Sequence, residues 1–273
     1  MEDRVSRTGH LMLITPERVF YAGLLGRPRE RCAGAFHVYV AIEGGLWLST
    51  AEGREVHGEL LAVAPNVRHT VTSDYRSVIC VTIEPESVRP GTFDEFSKRL
   101  SGPQSASFAR RIRAAHEELR NWQCRDDITS HVFDQMCFGE ALPPRLLDPR
   151  VVRAIATIGK FSGEPVTAAS CAAEAGLSAS RFLHLFKQET GISFRAFRAW
   201  KRARHLLHFA NQDVNLAHLA QDIGYPDSTH FSHSIRRFYG LKPRAIFSGS
   251  RDLVIYHAGR PEFANSGWTQ EAG

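Results

Sequence analysis

Residues 227–247, DSTHFSHSIRRFYGLKPRAIF, combine small hydroxyl side chains, histidines and arginines with aromatic residues at helical spacing. On a helix with Phe231, Ile235 and Phe238 facing inward, the outward positions carry serine, threonine, histidine and arginine. Hydroxyls and imidazoles can hydrogen-bond the edges of bases, and guanidinium groups can contact phosphates. These residue types at this spacing indicate recognition of a polyanion such as a nucleic acid.

The charge of the chain is divided between its two halves. Residues 145–251 contain 16 lysines and arginines against 7 acidic residues, a net charge of +9, whereas the remainder carries a net charge of −4. A basic compact region attached to a mildly acidic one is typical of a polyanion-binding module joined to a different kind of domain. A merely solvated basic surface is the alternative.

An internal repeat indicates which elements position these side chains. Six positions of restricted type recur at an offset of 48 and then 49 residues: Ala172, Gly176, Phe182, Phe186, Gly191 and Ala196 match Ala220, Gly224, Phe231, Ile235, Gly240 and Ala245. Each copy has the form of a helix-turn-helix, in which a small residue lets two helices cross closely and a glycine ends the first of them. The predicted N-cap of the second helix is Ser178 in one copy and Asp227 or Ser228 in the other.

The second copy, AHLAQDIGYPDSTHFSHSIRRFYGLKPRAI, strongly resembles the signature of the AraC/XylS family of transcription regulators. The positions that match the family pattern are Ala220, Gly224, Tyr225, Phe231, Ile235, Gly240 and Pro243. The resemblance covers about residues 147–248 and implies two helix-turn-helix units joined by a long helix over residues 193–210, with two recognition helices in successive major grooves. His233 stands where the family usually has arginine, and Phe194 where the first unit often has proline, so the resemblance does not define the base contacts.

The outward faces of the two recognition helices supply the candidate DNA contacts. Predicted base contacts are Ser180, Leu183, His184, Ser228, Thr229, Ser232 and His233. Predicted phosphate contacts are Arg181, Lys187, Arg236, Arg237, Lys242 and Arg244. An apolar residue at position 183 suits a thymine methyl group better than water. The alternative is that these faces meet another protein domain.

The first half of the chain has a different pattern. Residues 35–84 show short β-branched and aromatic runs separated by turn signals, which predict a small antiparallel barrel or sandwich, and residues 92–139 show helical periodicity. Three prolines in residues 139–149 mark the expected boundary. We therefore expect an α+β fold with a cupin-like effector-binding and dimerisation domain over residues 1–140, a double helix-turn-helix DNA-binding domain over residues 141–248 and a C-terminal tail over residues 249–273.

An effector is expected by resemblance, since family members commonly place a cupin-like sensing barrel before the DNA-binding domain. Arg27 and Arg31 form an R-x-x-x-R pair similar to the first half of PilZ-type cyclic di-GMP motifs, although the second half is not found. These arginines are candidate effector ligands, with cyclic di-GMP as one candidate effector and a solvated loop as the alternative. His37, His57 and His69 lack the spacing of a cupin metal tetrad, so we expect neither a metal nor a cofactor.

These patterns favour an effector-responsive transcription regulator, with the role of an activator, over an enzyme. The expected partners are double-stranded DNA, a small-molecule effector, RNA polymerase for an activator, and a second copy of the chain that contacts residues 92–139. No membrane span or export signal is apparent, so a cytoplasmic location is expected. The alternatives are a metal-dependent cupin-type enzyme with an accessory nucleic-acid-binding domain, and an assembly factor.

Overall fold

The computed structural model describes residues 9–121, 128–160 and 166–258. Cys124, one of five cysteines, and residues 259–273 of the expected tail lie outside the described residues. The described chain is an α+β structure, with a sheet region in its first half and a helical domain in its second, which confirms the expected fold class.

Two sheets form the sheet region. The strands are β1 (Leu11–Ile14), β2 (Arg18–Leu24), β3 (Phe36–Ala41), β4 (Leu46–Thr50), β5 (Glu55–Gly58), β6 (Leu60–Val63), β7 (His69–Ser73), β8 (Ser77–Ile83) and β9 (Val254–His257). The larger sheet has the order β6-β3-β8-β2-β1-β9, and the smaller has the order β5-β4-β7. All pairings are antiparallel except that of β1 with β9.

The strand β3 shows why the larger sheet needs a cover on both faces. All six of its residues are buried. Because side chains alternate along a strand, Phe36 and Val38 enter a core with the helices that follow the sheet, and Tyr39 and Ala41 enter a second core with the smaller sheet. The sheet region is therefore three layers deep: small sheet, large sheet and helices.

Three helices form the outer layer: α1 (Thr92–Leu100), α2 (Ser105–Asn121) and α3 (Ser130–Phe138). Phe96, Ile112 and Phe133 of these helices are buried against the larger sheet. A fully buried ion pair, Arg18 Nε to Asp134 Oδ1 at 2.8 Å, joins β2 to α3.

The helical domain follows the proline-rich linker. Its helices are α4 (Pro149–Gly159), α5 (Ala168–Glu174), α6 (Ala179–Thr190), α7 (Phe194–His205), α8 (Leu216–Asp222), α9 (Ser228–Tyr239) and α10 (Pro243–Gly249). The long helix predicted for residues 193–210 is α-helical only to His205 and continues as a 3-10 turn over Leu206–Phe209. Phe194 and Phe197 at its start pack with α4–α6, whereas Trp200 and Ala203 pack with α8 and α9, so α7 belongs to both helix-turn-helix cores.

The segment after α10 returns to the sheet region. Strand β9 lies within the expected tail and pairs in parallel with β1, with Leu11 opposite Val254 and Ile14 opposite His257. The Val254 N–H donates to the carbonyl of His10, and the Ala258 N–H donates to that of Ile14. In the described part of the chain, no helix is long and apolar enough to cross a membrane.

Candidate nucleic-acid interface

The turns of the two helix-turn-helix units begin with the same geometry, and the second turn is one residue longer. Gly176 and Gly224 adopt positive φ angles of 64° and 83°, which a residue with a side chain rarely adopts. After each glycine, the next backbone N–H donates back to the buried alanine of the first helix: Leu177 to Ala172 at 2.9 Å and Tyr225 to Ala220 at 2.8 Å. The repeat read from the sequence is thus a structural repeat.

The N-caps of the recognition helices α6 and α9 fix where those helices begin. Ser178 caps α6 by accepting a hydrogen bond from the Arg181 N–H. Asp227, rather than Ser228, caps α9, because its Oδ1 accepts from the N–H groups of Thr229 and His230, both at 2.8 Å. Both helices end at a glycine with positive φ, Gly191 and Gly240.

The predicted contact residues lie on the open faces of these helices, except for Lys242 and Arg244, which lie at the start of α10. Phe182 and Phe186 of α6, and Phe231, Ile235 and Phe238 of α9, are buried. The predicted base-contact residues are all exposed apart from Ser232, which is half-buried, and the predicted phosphate-contact residues are all exposed. Leu183 is 41% exposed.

A groove of about 620 Å³ lies beside α9. It is bordered by the start of α8, the outer face of α9 and the start of α10, and its polar lining includes Asn215, Ser228, Ser232, Arg236, Lys242 and Arg244. The groove therefore brings together base-contact and phosphate-contact candidates of α9 with the phosphate-contact candidates at the start of α10. Such a concave, basic and hydroxyl-lined surface is suited to a phosphate backbone and the base edges next to it.

One exposed residue of α9 that the sequence did not single out is His230. Its Nδ1 lies 2.7 Å from Oδ2 of Asp227, the N-cap, and both side chains are exposed. Hydrogen bonds from the backbone and the ring of His230 lower the pKa of Asp227. The signal in the sequence was an aspartate three residues before a histidine at a predicted helix start. The structure places this second exposed imidazole in the first turn of α9.

The effector candidates Arg27 and Arg31 have different surroundings. Arg27 is exposed, whereas Arg31 is half-buried, its guanidinium carbon 5.0 Å from the centre of the Tyr39 ring. The Nε and Nη2 atoms of Arg31 are buried and make no hydrogen bond. The structure thus presents one inward-facing guanidinium at the smaller sheet and one arginine at the surface.

The three histidines considered as cupin ligands do not assemble into a metal site. His37 and His69 are buried, and the Tyr39 hydroxyl is 3.1 Å from His69 Nε2. His57 is exposed and stacks on Trp47 with ring centres 4.2 Å apart. Within residues 9–121, 128–160 and 166–258, no group of three His, Cys, Asp or Glu side chains is arranged to hold a metal ion.

The interface between the sheet region and the helical domain was also absent from the sequence prediction. Glu84, at the end of β8, is fully buried and accepts hydrogen bonds from Trp200 Nε1 at 2.9 Å and Lys201 Nζ at 2.7 Å. Arg204 Nε lies 2.8 Å from the other carboxylate oxygen. Burial alone would raise the pKa of Glu84, but Lys201 and Arg204 outweigh it and hold the pKa below its ordinary value.

Comparison with known proteins agrees with this geometry. Residues 171–248 match a family model described as "Helix-turn-helix domain". Over 111 residues the chain is 33% identical to the HTH-type transcriptional activator RhaS of Escherichia fergusonii, a match that covers 40% of this chain. This helical domain is of the AraC/XylS type. The chain spans only 39% of the length of that curated relative.

A likeness in fold to a solved structure extends beyond the helical domain. A structure of ToxT from Vibrio cholerae superposes with a TM-score of 0.52 and 12% sequence identity, over 85% of this chain and 97% of ToxT. A second ToxT structure, from strain O395, gives a TM-score of 0.50 with 10% identity over 86% of this chain. At these identities the likeness concerns the fold alone, and it includes the sheet region.

Proposed function

We propose that this chain is a sequence-specific DNA-binding transcription regulator. The observation that carries the proposal is the pair of equivalent recognition helices. Each helix packs its aromatic residues into the core and exposes hydroxyl, imidazole and cationic groups. In the proposed complex, α6 and α9 enter successive major grooves, and α7, which belongs to both cores, sets their spacing.

The proposed contacts divide into two kinds. Ser180, Leu183 and His184 of α6 contact base edges in one groove, and Ser228, Thr229, Ser232 and His233 of α9 contact those in the other. Arg181, Lys187, Arg236, Arg237, Lys242 and Arg244 contact phosphates. Base contacts supply sequence preference, and phosphate contacts supply salt-dependent affinity.

Regulation is proposed at three further levels. The name of the matched relative, a transcriptional activator, supports the role of an activator, with RNA polymerase as a partner. A homodimer through α1–α3, and the sensing and dimerisation role of residues 1–140, remain proposals from the family resemblance. The effector proposal now centres on Arg31, because its unpartnered guanidinium atoms face the interior, whereas Arg27 is exposed. Cyclic di-GMP is one anionic candidate.

A pooled-duplex selection with the full-length chain tests the DNA-binding proposal. The full chain is the right material, because a fragment starting near Leu146 would expose Trp200, which is 2% exposed in the whole molecule. We expect recovery of a preferred site, followed by a loss of preference at a few base pairs in His184→Ala and in His233→Ala, of about 1 to 3 kcal/mol each.

The Arg237→Ala variant serves as the contrast. It should weaken all duplexes alike, because a phosphate contact carries no base information. Failure to enrich any site, together with binding that does not respond to salt, would show that the basic face is not a DNA interface.

A further inference from the structure

The loop at residues 26–31, here called the arginine loop, runs from the sheet region along the end of the recognition helix α9. The Arg29 N–H donates to the Gly240 carbonyl at 2.9 Å, and the Cys32 N–H, just beyond the loop, donates to the Arg237 carbonyl at 2.7 Å. At the other end of the loop, Gly26 lies against the side chain of Leu241. Contacts at residues 26, 29 and 32 therefore fix the loop to the end of α9 and to the turn that follows it.

Gly240 shows how closely the two segments approach. It ends α9 with a φ of 69°, and a Cβ placed there would lie 2.3 Å from the carbonyl oxygen of Arg29, a backbone atom. A side chain at position 240 is thus excluded twice, by its own backbone conformation and by the loop. The arginine loop is docked on the helical domain rather than free in solvent.

The docked loop adds cations to a surface that already has them. Arg27 and Arg29 are exposed, as are Arg236, Arg237, Lys242 and Arg244 beside them in the helical domain. None of these six cations forms an ion pair with a carboxylate of the described residues. Glu30, the one acidic residue of the loop, pairs instead with Arg68 at 2.9 Å.

Unpaired like charges repel one another, so a cluster of this kind is stabilised by an anion that spans it. The four cations of the helical domain are proposed phosphate contacts, and the arginine loop continues their surface across the boundary between the two regions. A DNA strand has a phosphate at every nucleotide, so it can contact several exposed cations on two segments at once, whereas a small anion contacts few of them.

We infer that the arginine loop is a DNA-backbone contact of the sheet region, in which Arg27 and Arg29 bind phosphates that flank the groove occupied by α9. This inference rests on the proposed DNA-binding function and adds a contact from outside the helix-turn-helix units. It also assigns Arg27 a role different from that of an effector ligand. Arg31, whose side chain faces inward, is not part of the contact.

The test measures the salt dependence of binding by the full-length chain to a fluorescent duplex of about three helical turns and arbitrary sequence. Anisotropy titrations between about 50 and 200 mM salt give the slope of log K against log of salt concentration, which changes by about 0.9 for each phosphate contact. We expect the Arg27→Ala/Arg29→Ala double variant to lower the magnitude of the slope by about 1 to 2, which corresponds to a loss of roughly fivefold in affinity per contact near physiological salt.

Two controls separate a local contact from an effect of net charge. Arg54→Ala/Arg110→Ala removes two exposed arginines of the sheet region that lie outside the loop, and its slope should stay near that of the wild type. Arg27→Lys/Arg29→Lys keeps both charges and should recover most of the slope. Thermal unfolding of each variant checks that it is folded.

The outcomes separate the inference from the function on which it rests. An unchanged slope in the loop variant, together with a reduced slope in Arg244→Ala, overturns the inference and leaves DNA binding intact. A wild-type chain that binds no duplex overturns both. The variants are also titrated with cyclic di-GMP and with inorganic phosphate; if the loop variant loses binding of a free anion while its DNA slope stays unchanged, the loop is a small-anion site and the inference is wrong.

Discussion

At the scale of single residues, two buried histidines of the sheet region make the stability of the fold depend on pH. The ring centres of His37 and His69 lie 5.6 and 5.8 Å from that of Tyr39, and the Arg31 guanidinium lies over the Tyr39 ring. Burial, helped by repulsion from His69 and Arg31, lowers the pKa of His37 to about 3. Burial lowers the pKa of His69 to about 4, although its hydrogen bond with the Val67 carbonyl acts in the opposite direction.

The first prediction follows from these depressed values. In the unfolded chain both imidazoles take up a proton near their ordinary pKa of 6.5, whereas in the folded chain they stay neutral. Their contribution to stability is therefore present above pH 6.5 and is lost as the pH falls toward 4, by about 1.4 kcal/mol per pH unit for each histidine. In denaturant unfolding, the free energy of unfolding of His37→Gln should fall less steeply between pH 6.5 and pH 4 than that of the wild type.

His57→Gln is the matched control for this experiment. His57 is exposed, so its replacement should leave the pH dependence of the free energy of unfolding unchanged. If His37→Gln and His57→Gln have the same pH dependence as the wild type, His37 is protonated in the folded state and its proposed environment is wrong.

Sequence reasoning succeeded at residues whose position depends on their own helix. Leu183 and His184 could be placed on the outward face because Phe182 and Phe186, which flank them in the sequence, define the buried face of α6. Arg31 and Glu84 could not be placed in the same way, because each is held by residues distant in sequence. Arg31 pairs through its backbone with His69, and Glu84 contacts Trp200 and Arg204. A residue buried by long-range contacts leaves little local signal.

At the scale of elements, local capping residues gave the start of α6 correctly and left two candidates for α9, of which Asp227 is the cap. Strand β9 was missed for a physical reason. Four residues, VIYH, are extended there because the edge of β1 offers unpaired backbone groups, and that edge is formed by residues more than 200 positions earlier. The described residues next to β9 in the sequence provide no strand with which it could pair.

The second prediction concerns β9. Val254→Pro removes the N–H that donates to the His10 carbonyl, while Val254→Ala keeps it and shortens the side chain. We expect the proline variant to be less stable than the alanine variant by about 1 to 3 kcal/mol, because proline removes this hydrogen bond and interrupts the strand pairing. Hydrogen exchange at the amides of β1 is the measurement. Equal protection in the two variants would mean that β9 does not cover this edge in solution.

At the scale of the whole molecule, three of the sets of contacts that join the sheet region to the helical domain are specific to named backbone or charged groups. They are the arginine loop on α9, strand β9 on β1, and the Glu84 carboxylate against α7. The last is the most costly to disturb, because a carboxylate and an indole N–H are removed from water together with two cations. The sequence predicted two regions separated by prolines but gave no indication that they share a buried ionic contact.

The last prediction is that Glu84→Gln loosens the two regions from each other. The amide oxygen can still accept from Trp200 Nε1, so packing is kept, but Lys201 and Arg204 lose the charge that balances them. Breaking a buried ion pair from one side costs about 3 kcal/mol or more, and we expect the low end of that range, since Lys201 retains Glu86 and Arg204 retains the Thr15 carbonyl.

Equilibrium unfolding should therefore show one transition for the wild type and two for Glu84→Gln, as the sheet region and helical domain unfold separately. The Glu84 contribution also has a defined pH dependence: its folded pKa is lowered, so the stabilisation is present above an unfolded pKa near 4.5 and is lost as the pH falls below it. Glu95→Gln, at an exposed position of α1, should unfold as the wild type does. A single transition with an unchanged midpoint in Glu84→Gln would show that the carboxylate does not hold the regions together, and their coupling would then rest on β9 and the arginine loop.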